Sequence, residues 1–209
     1  MLATALCSVL ITGCGSGGGG GGDGDAKPTA EPKPVTEGAL RPLLLSQADL
    51  GAGYVQAQEK SNFDDVSVEE CPPLEKLGQS GDDTQFVSKA ETSFTYDDTD
   101  ATLGEELHSD RPTVLSSKLR EQFGAYISCP TYKMNIGTTP IKVKIAKSAT
   151  PELGDEQFAY TSTIELPDGP QVLKTMAVRK GNIAVILAGA PALVDRHINS
   201  AVGKLPAGS

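Results

Sequence analysis

The residues of this chain that could do chemistry are four cysteines, two histidines and several acidic clusters. Cys14 has the most specific surroundings. The stretch Leu10-Ile11-Thr12-Gly13-Cys14 has the form of a lipobox, with an aliphatic residue three positions before the cysteine and small residues just before it. A signal peptidase must pass the chain extended through a narrow site, which requires small side chains there, and the thiol sulfur is the atom that takes a diacylglycerol. The uncharged apolar run from Met1 is far short of the roughly 18 residues of a spanning helix and reads as the core of a signal peptide. No Lys or Arg precedes it, although export signals normally begin with a positive segment, so the true start is expected upstream or the chain is a fragment.

After Cys14 comes a glycine tract to Gly22 and then a Pro, Ala, Lys and Glu mixture to Thr36. Neither can bury apolar area, and together they make a tether of about 25–30 Å. The expected organisation is a signal at 1–13, a lipidated Cys14 with a disordered linker at 14–38, and one α+β domain at 39–209. The alternative, a short apolar terminus with an accidental cysteine, leaves the order of signal, thiol and spacer unexplained. Gly13-x-Gly15-x-x-Gly18 matches a dinucleotide fingerprint but has no strand before it and no helix after it.

Cys7 leaves with the signal, so Cys71 and Cys129 remain in an oxidising compartment. Pairing them closes a loop of almost sixty residues. The chain-entropy account values such a closure at about 4 kcal/mol. The alternative is two buried free thiols. A metal site is not expected, because there is no Cys-x-x-Cys and histidines are few.

The remaining clusters carry less. His197 stands beside Arg196 on a helix, where a solvated surface histidine is the ordinary reading. His108 lies among Glu105, Glu106 and Asp110, and a triad through it would need a serine brought near by the fold. Asp97-Asp98-Thr99-Asp100 fails as a calcium loop, since Leu103 and Ser109 stand where glycine and glutamate are needed, and reads as a solvated turn. No Gly-x-Ser-x-Gly elbow is present. Carboxylate pairs such as Glu69-Glu70 are too common here to single out a glycosidase site, and with no Trp a sugar-stacking platform is not expected. No catalytic residue, cofactor or metal is assigned.

Net charge is −9, which disfavours nucleic acid and anionic envelope polymers as partners. Acidic residues dominate 1–110 and basic ones 111–209, so the two halves are expected to attract each other on folding. The longest apolar run after the signal, Ile183 to Val194, is too short to cross a bilayer.

The elements that must position any site follow from periodicity. Ser46-x-x-Asp49 has the form of a helix start, closed by Gly51. Tyr54–Ala57 reads as a short strand, Leu74–Leu77 as a helical turn stopped by Gly78, and Ala90–Tyr96 as a strand. Leu103–Leu107 is open between strand and helix. Asp110 is placed to cap a helix, with Pro112 in its first turn, whose stripe is Leu115, Leu119, Phe123, Tyr126 and Ile127. Ile141, Val143 and Ile145 alternate as a strand. Phe158–Leu166, Val172–Val178 and Ile183–Leu187 are joined by short turns into an antiparallel meander. A helix from Pro191 to Lys204 closes the chain. The expected fold is an antiparallel sheet covered on one face by two helices, with a mixed or short edge.

The segments Leu43–Tyr54, Cys71-Pro72-Pro73-Leu74, Leu119–Cys129, Leu153-Gly154-Asp155-Glu156 and Val178-Arg179-Lys180-Gly181-Asn182 carry a resemblance. On them the domain resembles the sensor-like domains of actinobacterial envelope lipoproteins and the outer domain of mycobacterial receptor kinases of the PknH type. The resemblance implies an α+β fold with a groove for an envelope ligand and no catalysis. Kinase sensors of this type have two disulfides, whereas this chain can form one.

Function is thus read as a non-enzymatic ligand-binding or sensing lipoprotein, held by the lipid on Cys14 to the extracytoplasmic face of the cell membrane. The partners expected are that membrane and a small envelope ligand or lipid. Two other readings are a lipid carrier between membrane and wall, and a hydrolase with a site assembled from distant residues. For a ligand site, Phe158, Tyr160, Ile164, Met176, Val178, Val185 and Leu187 are grouped as the apolar face of the meander. Thr161, Thr163, Thr175, Ala177, Arg179 and Ala184 are grouped on the other. Thr161, Thr163, Thr175 and Arg179 are the candidate ligand residues, with Arg179 as a fixed charge for a carboxylate or phosphate. The alternative is that this second face is simply wet.

Overall fold

The computed structural model describes residues 31–57, 66–79, 85–97, 99 and 101–206. Cys14, the signal and the glycine tract lie outside the described residues, as do Asp98 and Asp100. Near the start, the side chain of Asn182 donates to the carbonyl of Lys33 and the Val35 amide donates to Ser109 Oγ at 2.8 Å.

The first elements are short: α1 (Glu37–Leu40), a 3-10 turn (Arg41–Leu43) and α2 (Gln47–Leu50). The capping box expected at Ser46 is present, with Ser46 and Asp49 exchanging side-chain and backbone hydrogen bonds. Then come β1 (Tyr54–Gln56), β2 (Val66–Glu69), α3 (Pro72–Gln79), β3 (Ser88–Tyr96) and β4 (Thr102–Ser109). The second half holds α4 (Pro112–Ser128), β5 (Thr131–Ile136), β6 (Thr139–Lys147), β7 (Glu156–Leu166), β8 (Gly169–Lys180), β9 (Ile183–Gly189) and α5 (Pro191–Lys204). The segment left open at Leu103–Leu107 is strand. Asp110 does not cap α4: its carboxylate accepts from the Arg111 amide and pairs with Lys118, while Pro112 opens the helix.

The fold is α+β. The strands form one antiparallel sheet in the order β1-β3-β4-β9-β8-β7-β6-β5-β2, and β7, β8 and β9 are the meander. Both outer strands are short, as edge strands usually are. Among the described residues no helix is long and apolar enough to cross a membrane.

The layering differs from expectation, because α4 and α5 lie on opposite faces of the sheet. Val194, Ile198, Ala201 and Val202 of α5 pack with Met176, Val178, Val185 and Leu187. Leu115, Leu119 and Phe123 of α4 pack with Tyr160, Ala177 and Ala184. Residues 176 and 178 flank 177 on one strand, so the two helices cover the two sides of the pleat. Burial on both faces suits the central strands: Met176, Ala177 and Val178 in succession are all 0–1 % exposed.

Within the meander, β7 turns the opposite face to each side from the one its sequence grouping predicts. Two-residue turns set Leu166 opposite Gly169 and Lys180 opposite Ile183. Phe158 and Tyr160 therefore face the same side as Ala177 and Thr175, not the side of Met176 and Val178. A register change of one residue exchanges the two faces of a strand, and only the turn geometry decides it.

Candidate functional site

Over β8 and β9 the α5 side of the sheet is packed shut, and a smaller recess of about 380 Å³ lies on that side near Leu45, Thr92 and Lys204; the α4 side contains a cavity of about 720 Å³. That is in the range of small-molecule sites, about 300–1,000 Å³. Its floor is the pleat face carrying Gly104 and Glu106 of β4, Ile186 and Ala188 of β9, and Thr175 of β8. Small residues there leave depth: at Gly104 even an added Cβ would meet only the Ala188 carbonyl oxygen, at 3.7 Å. One wall is α4, through Phe123 and Tyr126. Leu74 and Leu77 of α3, Val66 and Val68 of β2, and Tyr132 and Met134 of β5 complete the apolar lining.

The helix α3 is held in place covalently. Cys71 and Cys129 form a disulfide with a Cα–Cα distance of 5.9 Å, joining the start of α3 to the end of α4. Cys71 is fully buried, and its amide donates to Glu75. Two elements that border the groove are thus tied to each other.

The polar side chains among the described lining residues are Glu106, Gln122, Thr175 and three tyrosines. Tyr126 stacks on Tyr160 with ring centroids 4.9 Å apart, and Thr175, opposite Tyr160 on the neighbouring strand, lines the same recess. Burial raises both phenols above their ordinary range and pushes Tyr132, beside Tyr126, up to about 12. These hydroxyls stay protonated. Among the described residues that line the groove, Glu106 alone carries a charge. The hydrogen bond from His108 Nε2, at 2.8 Å, outweighs partial burial and holds Glu106 below the usual carboxylate range, with Lys89 at 3.3 Å adding to it.

The four candidate ligand residues are not brought together. Thr175 lines the groove. Thr161 and Thr163 stand opposite Lys174 and Val172 and so project to the other side of the sheet, where Thr161 hydrogen-bonds Ser148 at 2.8 Å. Arg179 is on the α4 side but is engaged by the protein: Nε donates to Glu156 at 2.7 Å, and Nη1 to Asp155 and to the Gly181 carbonyl. Burial opposes ionisation of Glu156, but hydrogen bonds from Arg179, Ser116 and Arg120 hold its pKa down. Asp155 also accepts from the Gly181 amide. Gly154 lets this corner close, since a Cβ there would lie 2.5 Å from the Arg179 carbonyl oxygen. The Leu153–Glu156 and Val178–Asn182 segments are thus the two halves of a structural clasp.

The histidines also have partners. His197, expected at the surface, is 5 % exposed and meets Tyr54 Oη at 2.6 Å; burial, with Arg196 nearby, lowers its pKa. His108 is buried between Glu106 and the Phe86 ring. Among the described residues no group of three or more His, Cys, Asp or Glu side chains converges on a metal position.

Sequence reasoning named Thr175 and missed the rest of the groove. The signals that pointed to it were Gly104 inside a strand, a common mark of reserved space, and the period-two run Tyr132, Met134, Ile136.

No family model matches the chain, and no curated protein matches it. Among solved structures, the crystal structure of the extracellular domain of PknH from Mycobacterium tuberculosis is similar. It has a TM-score of 0.59 at 14% identity, covering 83% of this chain and 99% of that one. At that identity the likeness establishes a shared fold.

Proposed function

We propose that this chain is a lipoprotein on the extracytoplasmic face of a cell membrane, whose domain binds a small envelope ligand without transforming it. The groove carries this reading: a roomy, largely apolar recess floored by Gly104, Thr175 and Ala188, with a few converging hydroxyls. The disulfide fits an oxidising compartment, and the fold likeness to the extracellular domain of a receptor kinase fits a sensing role. The lipobox at Cys14 supplies the anchor, with two acyl chains, the number that stable attachment usually requires.

Native mass spectrometry of the protein taken from its own envelope tests the groove. A retained small molecule is expected, and it should be lost in Ala188→Phe, which fills the floor. Retention unchanged in that variant would remove the site from this face. Cys14→Ala, expressed with a complete export signal, should move the protein to the soluble fraction, and continued pelleting with membranes would place the anchor elsewhere.

A carrier is the second reading, favoured by the exposure of Ala188, which leaves the floor open to solvent at one end. Transfer of a labelled lipid between vesicles, faster with the protein than without it, would select the carrier over the sensor.

A further inference from the structure

The charge distribution of the groove restricts its ligand further, and the argument rests on the groove being a ligand site at all. Apolar side chains from five elements make up most of the wall, so most of any occupant must be apolar. A polar end has two kinds of partner. The Gln122 amide and the hydroxyls of Tyr126, Tyr160 and Thr175 line the same recess, and each can both donate and accept. The Glu106 carboxylate is the other, and Lys89 and His108 already hold it.

An anionic head would enter a low-dielectric recess with a carboxylate at its edge and no Lys or Arg among the described lining residues. A cationic head would have to displace Lys89, 3.3 Å from Glu106, and give up its own hydration to reach the carboxylate. A hydroxyl, ester or amide loses little hydration and finds donors and acceptors in place.

We infer that the groove selects an uncharged amphiphile, with a long apolar body and a hydroxyl, ester or amide head, over fatty carboxylates, phospholipids and amines. Thr175 and the Tyr126–Tyr160 pair meet the head, and Glu106 is the element that rejects anions.

Three probes with the same hydrocarbon chain test this: 1-monooleoylglycerol, oleate and oleylamine. Each is titrated below its aggregation concentration into the full chain by calorimetry. Monooleoylglycerol is expected to bind at least tenfold more tightly than either charged probe. Glu106→Gln should narrow its advantage over oleate at least threefold, a change in ratio that loss of packing alone would not produce. Equal or tighter binding of oleate or oleylamine overturns the inference. If Ala188→Phe abolished that binding, the groove would still stand as a ligand site. Binding of none of the three also overturns the inference, while the retained-ligand experiment decides the groove independently. An unchanged ratio in Glu106→Gln refutes the role given to that carboxylate.

Discussion

On the α5 side, β8 and β9 present Met176, Val178, Val185 and Leu187, each at most 1 % exposed, and α5 closes over them with Val194, Ile198 and Ala201. On the α4 side the same two strands present Thr175, Ala177, Ala184, Ile186 and Ala188, and a helix of similar length leaves an open recess. The strands, their register and their hydrogen bonds are common to both faces. Side-chain volume differs. Large residues on one face of a pleat let a helix seat fully, whereas small ones opposite leave space that is filled only where aromatic rings reach in, as Phe123, Phe158 and Tyr160 do. Stability is thus concentrated on the α5 face and binding capacity on the α4 face, where a cross-link between α3 and α4 adds to a thinner core.

That contrast can be broken in several ways. The largest effect is expected from the cross-link. Replacing Cys71 and Cys129 together by Ser should cost about 4 kcal/mol in denaturant unfolding, from loop-closure entropy. A loss below about 1 kcal/mol would mean that the α4 face is held by packing alone.

Adjacent residues on β9 give the most direct comparison. Leu187→Ala, on the sealed side, should cost about 3 kcal/mol. Ala188→Phe, on the groove side, should stay within about 0.5 kcal/mol. Similar losses at the two positions would show that the faces are equally packed.

The sealed face has one weakness, which pH exposes. Glu105 is 1 % exposed, and burial outweighs the hydrogen bond from the Leu45 amide to push its pKa from 4.5 up to about 7; its Oε1 has no hydrogen-bond partner among the described residues. Between those values the folded state holds a proton that the unfolded state has released. The Glu105 contribution to stability should therefore be largest below pH 4.5, fall as pH rises to about 7, and level off above it. At about 1.4 kcal/mol per pH unit, the loss is about 3 kcal/mol. Glu105→Gln should remove this fall from the pH profile of chemical denaturation, leaving the opposite rise that the lowered pKa of His197 contributes below pH 6.5. A fall that persists in the variant would assign it to another group. Asp49 does not confound the window, because hydrogen bonds from Lys204 and Ser46 lower its pKa to about 2, and its contribution is lost only in stronger acid.

The smallest effect tests the clasp. Arg179→Met should cost about 1–2 kcal/mol by leaving Glu156 with weaker partners, while the retained ligand is unchanged. Loss of the ligand from a folded Arg179→Met protein would return Arg179 to the binding site.

Local order determined much of what was legible. The stripe Leu115, Leu119, Phe123 and the pair Val194, Ile198 marked both long helices, because a 3.6-residue period needs only one segment to be visible. Alternation and two-residue turns marked the meander for the same reason. Cysteine parity and compartment were enough to pair Cys71 with Cys129, a contact that the fold then realised. The edge strand β2 and its neighbour β5 carry shorter alternating runs and went unread.

Tertiary structure alone decided which faces met. Helix periodicity shows that a helix has an apolar side but not which side of the sheet receives it, so α4 and α5 could be placed on opposite faces only by the fold. The groove arises from that arrangement, since its lining comes from β2, α3, β4, α4, β5, β7, β8 and β9. His197 and Arg179 make the same point. The sequence determined a histidine on a helix and an arginine on a strand; Tyr54, 143 residues away, and Glu156, 23 residues away, turned them into structural partners. Such pairings depend on contacts remote in the chain, where no local pattern records the neighbour.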